Sequence, residues 1–597
     1  MDPVSLDKYA KVLYALIKKK YLVPRTHLIL DWRPLWELFR FWDDSSFSMR
    51  GLLKCATEFK TQLRQVIKVC RGYFSDESTQ EMLTLWKPML CPADRSMATA
   101  TKYFMLFLPT TKDIPAEKSW MLWRDMLQSF WRTWGNSPGW EVDILKLYTR
   151  LATHRIGAVD WEPMMTDLYT RFMSGFNLPV TFGGSGLQIK HGISGANCNT
   201  IISKWIVSTL GPGSSSQSHL TSMLRAIRSY YHPANLNNSS EQLHVFISSL
   251  CTHFIDRLHL ERHNPKWETK VPLDKRLREE DITQFVEAVT PIAWMVLYNN
   301  YEEDARNVFS SLALVSPASV IPKLLETLST SKDILTEPHR FHVCIQAVSA
   351  VSGPLVRNFP GRSVQLLHSL LPAIDVNDIW RSTDIFVCMS DLLERMSVSA
   401  TIQTTQANPD DVEISANFED FVVEFISKCF TLVENSKREN FRVDGGSSEE
   451  FLNDEEIAAD AAINDTFLRM CINASPEILH RVMTKLTDYI TGRIVEPTVA
   501  GGILSGMCKS VVQCDPAKGL KAFIPMLVRT ILERMRERPV DSIKLDEELQ
   551  FNLQLLGEVL CCTNAGVFRS KGEHLLPWIE DICSCLDKTL NTTQKDE

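Results

Sequence analysis

An all-α fold, a HEAT- or armadillo-like α-solenoid of stacked helix pairs with a few long loops, is what this sequence predicts on three observations. Apolar residues recur at helical spacing, strand-like alternation is nearly absent, and one local pattern returns at distant places in the chain. In VIPKLLETL, Ile321, Leu324, Leu325 and Leu328 fall at i, i+3, i+4 and i+7 around Pro322. Ile524, Leu527, Val528 and Ile531 repeat the spacing around Pro525, and Trp161, Met164, Met165 and Leu168 repeat it around Pro163. Leu575, Ile579, Ile582 and Leu586 keep one face after Leu576–Pro577. Each reads as a helix with proline in its first turn, where the missing N–H has no intrahelical partner to lose.

Such spacing makes a single apolar stripe, which an isolated helix cannot bury. Stacked helix pairs can, each repeat covering its neighbour with a period of roughly 40–47 residues. Three stretches interrupt the helices. Phe182–Asn199 is rich in Gly and Ser, Thr401–Asn417 is polar around Pro409-Asp410-Asp411, and Asn435–Glu456 carries Gly445, Gly446 and an acidic cluster. The predicted organisation is helical repeats over 1–181, a Gly/Ser-rich loop over 182–199, and HEAT-like repeats over 200–434. An acidic flexible insertion over 435–456 and further HEAT-like repeats over 457–597 complete it.

At 597 residues the chain has the length of roughly four domains or of one long repeat array. Its 44% hydrophobic and 23% charged residues are ordinary globular composition rather than disorder. A net charge of −8 argues against a non-specific grip on phosphates, so no direct nucleic-acid partner is expected. The 15 cysteines, scattered from Cys55 onward, lack the dense spacing of a disulfide framework. The first twenty residues lack an apolar signal segment, and apolar runs such as Ile292–Tyr298 are far shorter than the ~18 residues of a membrane span. A chain of the nucleus or cytosol, without a membrane partner, is expected.

Several motifs invite a chemical reading and fall short of it. His259 and His263 stand at i and i+4, but no glutamate follows the first histidine as in a metalloprotease helix and Pro265 ends the segment; a solvated helix end is expected. Cys561-Cys562 and Cys583-x-Cys585 lack the two-residue gap of a zinc knuckle and are expected to be core thiols. Gly183-Gly184-Ser185-Gly186 has no following P-loop lysine and reads as loop. No Gly-x-Ser-x-Gly elbow occurs. Ten of the 15 tryptophans lie between Trp32 and Trp161, as core anchors first and a peptide groove second. The sequence thus nominates no catalytic, cofactor-binding or metal-binding residue, and a non-catalytic regulator is expected.

Several ordered blocks resemble one family. DWRPLWELF (Asp31–Phe39), FLPTT (Phe107–Thr111), SFWRTWGNSPGWE (Ser129–Glu141) with VDWEPMMTDLYTRFM (Val159–Met173), and SYYHPANLNNSSEQLHVFISSL (Ser229–Leu250) are similar to the N-terminal portion of the proteasome activator complex subunit 4 family. SLLPAIDVNDIWRSTDIF (Ser369–Phe386) resembles its middle region. The resemblance implies a HEAT-repeat dome that caps the α-ring of the 20S proteasome. It implies ATP- and ubiquitin-independent degradation of peptides and proteins, acetylated histones among them, with roles in DNA repair and spermatogenesis. Nucleus and cytoplasm are the implied compartments. Family members are several times longer, and their anchoring C-terminus is a hydrophobic-Tyr-x tripeptide, whereas this sequence ends Gln594-Lys595-Asp596-Glu597. The sequence is therefore expected to be an N-terminal and middle portion of such a protein or a short form of it. The inositol phosphates that bind the full-length family have no assignable site in this chain, and no cofactor is expected in it. On composition and architecture alone, the competing reading is a HEAT-repeat transport adaptor that holds cargo on its concave face.

Overall fold

The computed structural model describes residues 3–18, 23–43, 53–134, 140–176, 178, 193, 196–232, 240–263, 271–298, 302–332, 338–375, 377–396, 409–435, 454–493, 499–537, 547–561, 577, 580–584 and 587. The chain divides into two units, Met1–Ser316 and Pro317–Glu597, a border that the sequence did not suggest.

The first unit contains α1 (Pro3–Lys18), α2 (Arg33–Asp43), α3 (Leu53–Cys70), α4 (Ser78–Trp86), α5 (Ser96–Phe107), α6 (Arg124–Trp134) and α7 (Glu141–His154). It continues with α8 (Met165–Gly175), α9 (Ala196–Thr209), α10 (Ser216–Ile227), α11 (Ser240–His263), α12 (Glu279–Leu297) and α13 (Glu302–Val315). Helices α3, α5, α7, α9, α11 and α13 pack one on the next as a layer. Behind them α10 packs on α8 and α12, and α12 closes back on α13. Alternate helices thus bury their stripes against the same core, as helix-pair repeats must.

Aromatic side chains fill that core. Trp32, Trp86, Trp123, Trp131 and Trp205 are fully buried. Trp32 meets Trp86 edge-on at 5.2 Å, and Trp161 meets Trp205 at 5.5 Å, the offset geometry that aromatic quadrupoles favour. The anchor expectation therefore holds for these rings, while Trp134 is exposed.

The second unit contains α14 (Pro317–Lys332), α15 (Pro338–Ala350), α16 (Ser352–Asn358), α17 (Pro360–Leu370), α18 (Ile379–Arg395) and α19 (Pro409–Asn435). It continues with α20 (Asp454–Asn473), α21 (Pro476–Thr491), α22 (Val499–Cys514), α23 (Pro516–Glu537) and α24 (Glu547–Cys561). One layer runs α15, α18, α20, α22, α24; the other runs α17, α19, α21, α23. Among the described residues there is no strand, only an isolated bridge between Leu30 and Phe74. The chain is an all-α HEAT-type solenoid, as predicted.

Some local expectations are corrected. Pro322 and Pro525 lie inside α14 and α23 rather than in their first turns. Each helix starts earlier, at Pro317 and Pro516, which take the first-turn role. The interior prolines each forgo one hydrogen bond, and the surrounding packing tolerates the loss: Ile321, Leu324, Ile524 and Leu527 are all buried. Pro163 does open a turn, the 3-10 segment Glu162–Met164 that leads into α8. Pro409–Asn417, read as a polar break, is the start of α19. Proline at the first position and acids in the first turn both suit a helix N-terminus. Helix α9 begins at Ala196, inside the stretch read as loop, and α20 begins at Asp454, inside the acidic insertion. The glycines Gly183, Gly184 and Gly186 and residues 436–453 lie outside the described residues.

Candidate binding surface

The last four carbonyls of a helix have no intrahelical donor and carry the negative end of its dipole. At the end of α5 half-buried Arg71 and Arg150 and buried Arg155 meet this need. Arg150 of α7 donates to the Met105 and Leu108 carbonyls and, from Nε at 3.2 Å, to Thr110 Oγ1. Arg71 donates to Leu106 O at 3.2 Å. Arg155 reaches Thr110 O at 3.3 Å, Ile114 O at 2.5 Å and the Thr111 carbonyl. Burial lowers the Arg71 pKa to about 10, so it remains charged at neutral pH. The FLPTT block is thus the collar into which two arginines plug.

Helix α9 ends in the same way one repeat later. Arg257 of α11, buried, donates to Val207 O at 2.5 Å and to Leu210 O at 2.8 Å. Its Nε lies 2.8 Å from Glu261 Oε1, and Glu261 Oε2 accepts from Leu277 N at 3.0 Å. Side chains also join one layer helix to the next: Asn199 donates to Gln242 O at 2.8 Å, and Thr466 to Phe386 O at 2.8 Å. These arginines were missed by the sequence reading, because their acceptors are backbone carbonyls that no motif records.

Polar pairs also cross between the stacked helices of a layer. In the second unit, Asp384 holds His342 Nδ1, Asp391 holds Ser349, Asp465 holds Ser390 and Arg469, and Lys509 pairs Glu558 at 2.8 Å. A cavity of about 420 Å³ at the N-terminal ends of α15 and α18 is lined by Phe341, His342, Trp380, Arg381 and Asp384 among others. Trp380 there is 63% exposed, and the Arg381 guanidinium stacks over Phe341 at 4.6 Å. Exposed tryptophan beside arginine is the composition of protein-contact surfaces. In the first unit, a polar cavity of about 340 Å³ sits among Gly157, Asp160, Gly211, Gly213 and Lys275. Gly157 has φ +72°, and a Cβ there would stand 2.6 Å from the Lys275 side chain, so glycine is required.

The sequence-named residues scatter over this framework. His259 and His263 are exposed near the end of α11, their rings 5.1 Å apart. Among the described residues no group of three or more His, Cys, Asp or Glu side chains is arranged to hold a metal ion. Cys561 and Cys583 are exposed, which corrects the expectation of core thiols: each lies on the outward face of its helix. Cys562 and Cys585 lie outside the described residues. No helix of the described residues is long and apolar enough to cross a membrane.

Stacked helix pairs joined by carbonyl-plugging arginines define a HEAT-repeat protein. A family described as proteasome activator complex subunit 4, mid HEAT repeats region, matches residues 220–414 and 403–596. Proteasome activator complex subunit 4A of Danio rerio is 33% identical over 98% of this chain and 32% of its own length. Proteasome activator complex subunit 4 of Homo sapiens is 32% identical over 99% of this chain and 32% of its own. The chain belongs to the proteasome activator complex subunit 4 family, a family of regulators of the proteasome, and spans about a third of the length of these relatives. A chain from a solved structure of Kap95p binding to RanGDP aligns at TM-score 0.33 and 11% identity, over 92% of this chain and 69% of that one.

Proposed function

We propose that this chain forms part of the wall of a dome that caps the α-ring of the 20S proteasome and promotes degradation without ATP or ubiquitin. The observation that supports the reading most is the match to the mid HEAT-repeat region, which runs from α10 to the end of the chain. On this reading the chain is a regulator, not a peptidase, and holds no cofactor of its own. Its action is a matter of binding: a partner that prefers the open gate of the protease shifts the gate by the difference in its affinity for the two states. Peptides and proteins, acetylated histones included, are the substrates of this reading, in the nucleus and cytosol, with roles in DNA repair and spermatogenesis.

The test is affinity purification of the native protein from its own cells without nucleotide. Stoichiometric co-purification of 20S α and β subunits is expected. A preparation free of 20S subunits, from cells in which the 20S particle is abundant, would overturn the reading.

A further inference from the structure

Helices α20 and α22 are neighbours in one layer of the second unit. Two contacts fix their register. A Cβ at Gly502 would stand 3.9 Å from Asp460 Oδ2, and a Cβ at Gly506 would collide with the side-chain amide of Asn464. Both pairs lie one turn apart in the same direction on each helix, so the two helices run parallel and level. Extending this register by two turns sets Cys471, in the last turn of α20, beside Gln513 and Cys514, the end of α22.

We propose that Cys471 and Cys514 form a redox-sensitive modification site, closing to a disulfide that staples α20 to α22 when met by an oxidised low-molecular-weight thiol such as glutathione disulfide. A disulfide needs Cα atoms within about 7 Å. Helices approach that closely where small residues face a neighbour, and Gly502 and Gly506 supply such a contact on α22. Each thiol influences the other's ionisation, and the two differ in the way that exchange requires. Cys514 is half-buried, at the helix end where a small disulfide can reach it; Cys471 is buried behind it. Cys471 holds the Cys514 thiol below its usual range, with burial and Asp515 opposing. Burial holds Cys471 well above that range. Cys429 of α19 is buried and also close to Cys471, but it is not open to an external oxidant.

The chemistry balances in two exchanges. The Cys514 thiolate attacks one sulfur of glutathione disulfide, forming a mixed disulfide and expelling one glutathione thiolate. Cys471 then loses its proton and attacks Cys514 Sγ, forming the protein disulfide and expelling the second glutathione. Two protein thiols are oxidised, one glutathione disulfide is reduced, and two protons pass to the glutathione thiolates.

The full chain carries its own controls: Cys91, Cys561 and Cys583 are exposed. After equilibration in glutathione buffers of graded redox ratio, thiol blocking and digestion, mass spectrometry should find the Cys471–Cys514 cross-link where the three controls carry glutathione. With glutathione held at about 0.1 mM, an effective concentration in the millimolar range should favour the cross-link over the mixed disulfide at Cys514 by roughly tenfold. Cys514→Ser should abolish it and leave Cys471 unmodified, with helicity retained. A Cys514 that stops at the mixed disulfide, or a cross-link that forms only in urea, would overturn the proposal.

Discussion

The Arg257 guanidinium lies 2.8 Å from the Glu261 carboxylate one turn later in α11, and both are buried where α9 ends. The pair does two things that a hydrophobic replacement cannot. Arg257 neutralises the free carbonyls of α9, and Glu261 ties the Leu277 amide to the same point. Removing one partner strands the other charge in a medium that solvates it poorly. Glu261→Met should therefore cost about 3–5 kcal/mol in urea unfolding, and the double change Arg257→Met/Glu261→Met distinctly less than the two single changes added together.

The Arg150 clasp makes a related prediction. Arg150→Met leaves the Met105 and Leu108 carbonyls and Thr110 without this donor, a loss of about 2–4 kcal/mol. Arg150→Lys should recover only part of it, because an ammonium on a flexible stem cannot match the planar fork. Hydrogen exchange should speed up first across residues 105–111.

His244 supplies a pH dependence. It is fully buried against Tyr231, ring centroids 5.5 Å apart, and burial lowers its pKa to about 4. The unfolded chain binds this proton near pH 6.5, so its contribution is fully present above that value and is lost as pH falls towards about 4. Stability should fall by about 3 kcal/mol over this window from His244 alone. His244→Gln should flatten that part of the profile, measured as urea midpoint against pH.

What the sequence made legible was the burial pattern. Ile524, Leu527, Val528 and Ile531 are all buried, as their spacing required, and so are Trp161, Met164, Met165 and Leu168. Helix ends were less legible. Pro322 and Pro525 lie in helix interiors because Pro317 and Pro516 had already started those helices, and periodicity alone does not distinguish the two positions. Arg71, Arg150, Arg155 and Arg257 look like solvent-facing charges in a helical pattern. Their partners are carbonyls a repeat away, and only the stacked fold brings them together. The Trp380 surface was invisible for a similar reason: its parts come from the starts of two helices far apart in sequence.

Close approach of α20 and α22 is itself testable. Gly506→Ala forces Asn464 aside and should cost about 1–3 kcal/mol, as overpacking does. Asn464→Ala in the same chain should restore most of the loss, so the two changes should fail to add in a double-mutant cycle.

The reading as a proteasome activator is tested most directly by a rate. Latent 20S proteasome is mixed with the purified native protein, without ATP, and hydrolysis of a short fluorogenic peptide is followed over a titration. A saturable rise in rate is predicted. Rates that stay at the level of 20S alone across the titration, with the protein folded throughout, would contradict it.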